Sequence, residues 1–189
     1  MGLPAEENSF ATAQGSDKNC MWNDTDIPLA YLITFRCYGT WLHGDERGSV
    51  DRFHNQYGSP RISANQKWQQ YNARLLKHSP VKLDAAQLQS VEVAIRETCD
   101  LRNWFLRAVN VRTNHVHAVV SIGNTKPENA LIAFKANATR RMRQEDCWRQ
   151  EHSPWAEKGS KRRLWNERHI ELAVDYVVNG QGGELPKFD

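Results

Sequence analysis

The sequence predicts an α+β domain on an antiparallel sheet, and three observations predict it. Runs rich in aromatic and β-branched residues, at Leu29 to Trp41, Trp104 to Val111 and His115 to Ile122, read as strands. Between and after them, apolar residues recur at helical spacing: Leu88, Val91, Ile95 and Cys99 in one stretch, Leu131, Phe134 and Ala138 in another. Only Arg112-Thr113-Asn114 separates the second strand from the third, so these two form a hairpin. The resulting order is β-α-β-β-α-(β)-α.

Each element has its own local reason. Residues 1–28 are polar and acidic with few apolar side chains, and read as a flexible leader before a single domain over 29–189. Gly39 ends or bends the first strand. His43 to Pro60 is a long polar loop of the kind that often carries function. Within it, His43, Asp45 and His54 read either as a second metal cluster or as substrate contacts in a hydrogen-bonded loop, since their spacing sets no geometry. Ala64 to Leu76 reads as a short helix, broken by His78-Ser79-Pro80-Val81. Asp84 followed three residues on by Gln87 is a capping box, opening a helix that runs to about Arg102. Pro127 marks the next helix start, with Thr125 or Asn124 as cap. Glu151 to Gly159 reads as a loop, and Leu164-Trp165 as a short final strand. Glu167 to Asn179 is the last helix: Ile170, Ala173, Val174 and Val177 make its apolar stripe, Tyr176 stands within it, and Gly180-Gln181-Gly182-Gly183 stops it. The core of this order is the split β-α-β motif of ferredoxin-like folds, with helices on one face and the tyrosine-bearing helix at the C-terminal end.

Composition narrows the classes. A chain of 189 residues is long enough for one α/β-type core. It has no apolar run long enough to span a membrane and no basic-then-apolar leader, so a cytoplasmic protein without a membrane partner is expected. Cys20, Cys37, Cys99 and Cys147 are widely spaced and lack a Cys-x-x-Cys pair, which argues against structural zinc and for a reducing compartment. The net charge of +3 is uneven: residues 1–30 carry five acids against one base, which leaves +7 on the rest. That suits a polyanion binder, and equally a plain basic protein.

The chemistry-bearing stretch is Asn114-His115-Val116-His117. In a strand His115 and His117 share a face, about 7 Å apart along the chain, while Val116 points into the opposite layer. Two imidazoles so placed can converge on one divalent ion, or can be two surface histidines on a half-buried strand. Tyr176 is either a nucleophile or a helix-edge tyrosine. Arg140, Arg141, Arg143, Lys161, Arg162 and Arg163 are either phosphate contacts or a solvated basic face, and cations near a helix C-terminus also favour its dipole. Trp68, Trp148, Trp155 and Trp165 read as core-edge residues or as base-stacking platforms.

Taken together, the Asn-His-Val-His hairpin strand, the Tyr31-Leu32-Ile33-Thr34-Phe35-Arg36 strand, the basic helix and the lone helical tyrosine resemble the single-tyrosine HUH transposases, in particular the REP-associated branch. The resemblance covers roughly residues 29–181. It implies that His115 and His117 bind Mg²⁺ or Mn²⁺ and that Tyr176 attacks single-stranded DNA, forming a 5′-phosphotyrosine link and releasing a 3′-hydroxyl. A phenol ionises only at about pH 10, so such a nucleophile needs a metal or a base to help remove its proton. The resemblance further implies a folded DNA hairpin as partner, with Asn114 and the six basic residues above as its contacts, and a monomer or a homodimer. The family places Gln or Asn one turn after the tyrosine as third metal ligand, and here that position is Gly180. Gln181 reaches the register if the helix end bulges by one residue; Asn179 is the alternative. A non-catalytic binder of structured nucleic acid, or a phosphodiesterase using water as nucleophile, fits the same residues without Tyr176 chemistry.

Overall fold

The computed structural model describes residues 27–49, 62–180, 186 and 188. Among these, β1 spans Ala30–Cys37, α1 Gln66–Arg74, α2 Ala85–Leu101, β2 Phe105–Val111, β3 His115–Ser121, α3 Pro127–Gln144, β4 Trp155–Leu164 and α4 Glu167–Val178. The acidic leader falls almost wholly outside the described residues, as do His54 and Gln181.

The four strands form one sheet in the order β2-β3-β1-β4, and every neighbouring pair is antiparallel. This is the expected ferredoxin-like arrangement: β1-α2-β2 and β3-α3-β4 each cross over, and each leaves a gap that the other unit's strand fills. Period-two alternation splits the side chains into two layers. Tyr31, Ile33, Phe35, Val116, Ala118 and Val120 pack with Val91, Ile95, Phe134 and Met142 of α2 and α3. Ala30, Leu32, Val119 and Leu164 face the other way, against Ile170, Ala173 and Val177 of α4. In β2 the alternation is broken by a bulge between Leu106 and Ala108. Leu106 therefore packs towards α2 and α3 while Ala108 packs towards α4.

The helices begin where the sequence signals them, with one exception. The Asp84 carboxylate accepts from Gln87 N at 2.9 Å and Gln87 Oε1 accepts from Asp84 N at 3.0 Å, completing the capping box of α2. Asn166 caps α4 by accepting from His169 N at 2.8 Å. The expected Thr125 or Asn124 cap of α3 is corrected: Lys126 occupies the cap position and makes no side-chain cap. With Pro127 at the first helical position, one fewer N–H needs a partner, so a capping side chain is dispensable.

The loop expected over Glu151 to Gly159 is also corrected. Trp155–Leu164 is a ten-residue edge strand on β1. Its sequence, Trp-Ala-Glu-Lys-Gly-Ser-Lys-Arg-Arg-Leu, buries only its two ends, so no apolar alternation announces it. Tertiary contacts hold it instead. Trp155 Nε1 donates to Lys135 O and Thr139 Oγ1, both at 3.0 Å, and its ring meets Phe35 edge-on at 5.0 Å. The Lys135 ammonium reaches the carbonyls of Ala156, Glu157 and Lys158 at 2.8, 3.1 and 3.0 Å. Lysines and arginines along such an edge also oppose pairing with another chain. Of the tryptophans in question, Trp148 and Trp155 are buried in the core. No helix among the described residues is long and apolar enough to cross a membrane.

Two substitutions test this account. Phe35→Ala, which empties a fully buried site between α3 and β4, is expected to lower unfolding free energy by roughly 3–5 kcal/mol in urea titration. Asp84→Ala is expected to cost about 1 kcal/mol, through α2 alone.

Candidate active site

The face of the sheet opposite α2 and α3 carries the two histidines. The β1–β3 register pairs Thr34 with His117 and Arg36 with His115, and β2 sets Asn110 beside His117. Thr34, Arg36, Asn110, His115 and His117 therefore share one surface, and α4 lies across it. The His115 and His117 rings stand 4.7 Å apart between centroids, nearly perpendicular. The Tyr176 ring meets His117 at 5.4 Å, also edge-on. Residues distant in sequence thus form one His-His-Tyr cluster.

Each imidazole is oriented through Nδ1. His115 Nδ1 lies 2.6 Å from Asn114 Oδ1, and His117 Nδ1 lies 2.7 Å from Thr34 Oγ1. An Nδ1–H donated to each oxygen leaves both Nε2 lone pairs available, the arrangement by which second-shell oxygens prepare histidine ligands. Burial keeps both rings neutral. It pushes His117 down to about 3, helped by His115 and Arg112. It pushes His115 down to about 4, helped by the charges of Arg112, Arg47 and Arg36. Neutral, tautomer-fixed imidazoles are the form that binds a metal, so the pair fits a divalent ion as two of its ligands. Among the described residues no third His, Cys, Asp or Glu joins them.

The C-terminal end of α4 is held in place by the sheet. Asn110 Nδ2 donates to Val177 O at 3.0 Å, tying the C-terminal end of α4 to β2 and setting the depth of Tyr176. Asn179 serves as C-cap, and its amide donates to Asp175 Oδ1 at 2.9 Å. Gly180 N reaches both Tyr176 O at 3.1 Å and Asp175 O at 3.2 Å. The second is an i to i−5 bond, a π-type widening one residue before Gln181. A side chain at Gly180 would crowd the tyrosine itself: its Cβ would stand 3.0 Å from Tyr176 Cα.

The other candidate residues are distributed over both sides of the sheet. Asn114 and Arg162 are on the histidine side; Arg162 pairs in register with Leu32. Lys161 and Arg163, paired with Ile33 and Tyr31, point to the α2–α3 side, where α3 carries Arg140, Arg141 and Arg143. Several are already engaged: Arg141 bridges Glu97 and Glu145 at 2.6 and 2.7 Å, Arg143 binds the carbonyls of Gln150 and Glu151, and Lys161 meets Glu128 at 2.8 Å. His43 stacks on Trp68 at 5.2 Å, and Asp45 pairs with Arg47. Cys37 and Cys99 are buried, and burial pushes both thiols up to about 12, which leaves them unreactive. Thr34 and Asn110 were not distinguishable as site residues from sequence. Their one signal, a polar residue inside an apolar strand, acquires meaning only through the register that aligns both with His117.

Residues 76–177 match the family described as "Transposase IS200 like", a span that includes both histidines and Tyr176. Among solved structures, the chain is similar to a REP-associated tyrosine transposase bound to a REP hairpin. Identity is 13%, the TM-score is 0.47, and the match covers 82% of this chain and 68% of that one. It is also similar to a Deinococcus radiodurans chain described as a transposase, at 11% identity and a TM-score of 0.44, covering 86% of this chain and 97% of that one. No curated protein matches the sequence.

The neutral buried histidines make acid stability a test of the site. Their folded pKa values, about 4 and about 3, lie below the ordinary 6.5. The unfolded chain therefore binds protons first as pH falls, and stability drops with it. Urea titrations of the metal-free protein are expected to show stability declining from about pH 6.5 towards pH 5. In His117→Gln that slope is expected to be shallower.

Proposed function

This chain belongs to the IS200-like transposase family, and from that premise we propose that it nicks and rejoins single-stranded DNA through Tyr176. The observation that carries the reading is the His-His-Tyr cluster: a tyrosine ring 5.4 Å from an imidazole that is neutral, buried and oriented for metal. A transposase of this kind processes DNA ends, and the cluster contains a nucleophile, metal ligands and little else that could do chemistry.

His115 and His117 would hold Mg²⁺ or Mn²⁺, with Gln181 as the third protein ligand. The i to i−5 bond at Gly180 is the kind of bulge that the Gln181 register calls for, and so supports that choice over Asn179. The bound ion supplies Lewis-acid neutralisation of the scissile phosphate's non-bridging oxygens. Tyr176 Oη then attacks phosphorus. The new O–P bond is a 5′-phosphotyrosine, the P–O3′ bond breaks, and the proton given up by the Tyr176 phenol is balanced by the one the leaving oxygen takes up as a 3′-hydroxyl. In the second step a 3′-hydroxyl attacks the phosphotyrosine, and the phenolate leaves. The bond energy is conserved throughout, so no nucleotide cofactor is needed. Asn110 holds the depth of α4, so Tyr176 keeps its distance to the ion site in both steps. Asn114, Arg140, Arg141, Arg143, Lys161, Arg162 and Arg163 contact single-stranded or hairpin DNA. Their split over two sides of the sheet suits a folded substrate that reaches past one edge.

End-labelled hairpin oligonucleotides incubated with Mn²⁺ or Mg²⁺ test this on denaturing gels. Wild type is expected to form a protein-linked DNA band. Tyr176→Phe and His117→Ala are each expected to reduce it by at least about 10³-fold, since each removes part of a cooperating unit. Cleavage surviving in Tyr176→Phe would assign the reaction to water instead. Calorimetric titration is expected to show tighter binding of Mn²⁺ than of Mg²⁺, because imidazole nitrogen suits the softer ion and Mg²⁺ prefers oxygen. Gln181→Ala is expected to weaken Mn²⁺ binding by roughly 10-fold or more while Asn179→Ala leaves it unchanged.

A further inference from the structure

None of the nine residues of α1 is buried. A helix this short does not hold by itself in water, so its contacts decide where it stands. One face supplies them. Asn65 caps the helix by accepting from Trp68 N at 3.0 Å, and the Trp68 ring stacks on His43 at 5.2 Å. Gln69 Nε2 donates to Asp45 Oδ2 at 3.4 Å and Asn72 Nδ2 to His43 O at 3.5 Å. Gly44, at φ +89°, sits so close to Asn65 O that a Cβ would come within 2.3 Å, so loop and helix are in direct contact. That loop is in turn fastened beside His115. Thr40 Oγ1 donates to Cys37 O at 2.9 Å and to Asn114 O at 3.3 Å, and Trp41 Nε1 donates to Gly48 O at 2.8 Å.

The outward face of α1 has a different character. Lys67, Tyr71 and Arg74 recur at i, i+4 and i+7. That spacing gathers them within about 60° of arc around the helix axis, turned away from Gln69 and Asn72. All three are exposed, Tyr71 at 59%. Residues 62–82 hold Lys67, Arg74, Lys77 and Lys82 and no acid, more positive charge than the net +3 of the whole chain. Among the described residues Lys67, Arg74 and Lys77 meet no carboxylate, whereas Arg96, Arg141 and Lys161 each do.

We propose that the outward face of α1 docks the single-stranded DNA that enters the His-His-Tyr site, with a base stacked on Tyr71 and backbone phosphates on Lys67 and Arg74. The inference rests on the nicking reading and adds to it a surface that holds the strand. Cations without counter-charges on the protein attract a polyanion and release its counterions. A phenol ring one turn from each cation gives the strand an aromatic face to cover, and such stacking accepts any base. Because α1 is fastened to the loop that is tied to Asn114, a strand held on it stays near the turn that leads into His115. Polar contacts on the inner face fix the helix in advance, so its ordering is not charged against binding.

Fluorescein-labelled dT20 titrated by anisotropy against the full chain at several salt concentrations tests the surface. Tyr71→Ala is expected to weaken binding on the order of tenfold without altering the slope of log Kd against log salt, and Tyr71→Phe to keep wild-type affinity. Alanine is the better helix former, so the loss does not come from melting α1. Lys67→Gln and Arg74→Gln are each expected to weaken binding and to lower that slope by about 0.7, the contribution of one single-strand phosphate contact. Arg96→Gln, whose side chain pairs with Glu92 on α2, is expected to change neither affinity nor slope. Wild-type affinity in Tyr71→Ala, wild-type slopes in both Lys67→Gln and Arg74→Gln, or a wild type that does not bind dT20 overturns the proposal. A dimer in light scattering that Tyr71→Ala converts to monomer would assign the face to a second copy of the chain, and overturns it as well. The covalent-adduct assay run alongside separates the two readings. Adducts from hairpins with unaltered dT20 binding in the α1 variants remove the surface alone, whereas altered dT20 binding with no adduct from any hairpin removes the nucleophile and leaves the surface.

Discussion

The site depends on one constraint, the antiparallel pairing of β3 with β1 in a register that a single-residue slip would invert. Because side chains alternate, this register sends Val116, Ala118 and Val120 into the core under α2 and α3 and turns His115 and His117 to the opposite surface. The apolar layer is what specifies the register. Those three valine and alanine positions are fully buried, and moving them to the α4 side would put two imidazoles into hydrocarbon. The placement of the two histidines is thus maintained by residues on the opposite face of the sheet.

Burial on the histidine side is the second half of the design. α4 covers that face with Ile170, Ala173 and Val177 and brings Tyr176 with them. Removing water makes the charged imidazole unfavourable, so the same helix that brings Tyr176 to the site also keeps both histidines neutral. The polar atoms left beneath it are satisfied locally: Thr34 and Asn114 on the ring nitrogens, Asn110 on a helix carbonyl. Each such pairing offsets the penalty for a buried polar group and at the same time removes a degree of freedom from the site.

The β1–α1 segment extends this logic outward. A chain of contacts runs from Asn114 through Thr40 and Trp41 to the Arg47–Asp45 pair. It joins the segment after β1 to the turn that sets His115. On the far side of the sheet, Arg141 clamps α3 to Glu97 of α2, and the Lys135 ammonium secures the start of β4. Basic residues that look alike in sequence therefore do different work: some hold helices together, while others are presented at the surface.

The sequence by itself determined the element order, the hairpin, the capping box of α2, the shared face of the two histidines and the helix that bears Tyr176. All of these follow from local rules: period two, period 3.6 and cap chemistry act over a few residues. Only tertiary structure decided the rest. β4 was legible only at its Leu164 end, because an edge strand held by Trp155 and Lys135 needs no apolar alternation of its own. The Lys126 cap of α3 was misread because Pro127 had already removed the need for a capping side chain. Thr34 and Asn110 came beside His117 only when strands far apart in the chain were brought into register. Such partnerships are set by packing energies summed over the whole core, and no local stretch of sequence contains them.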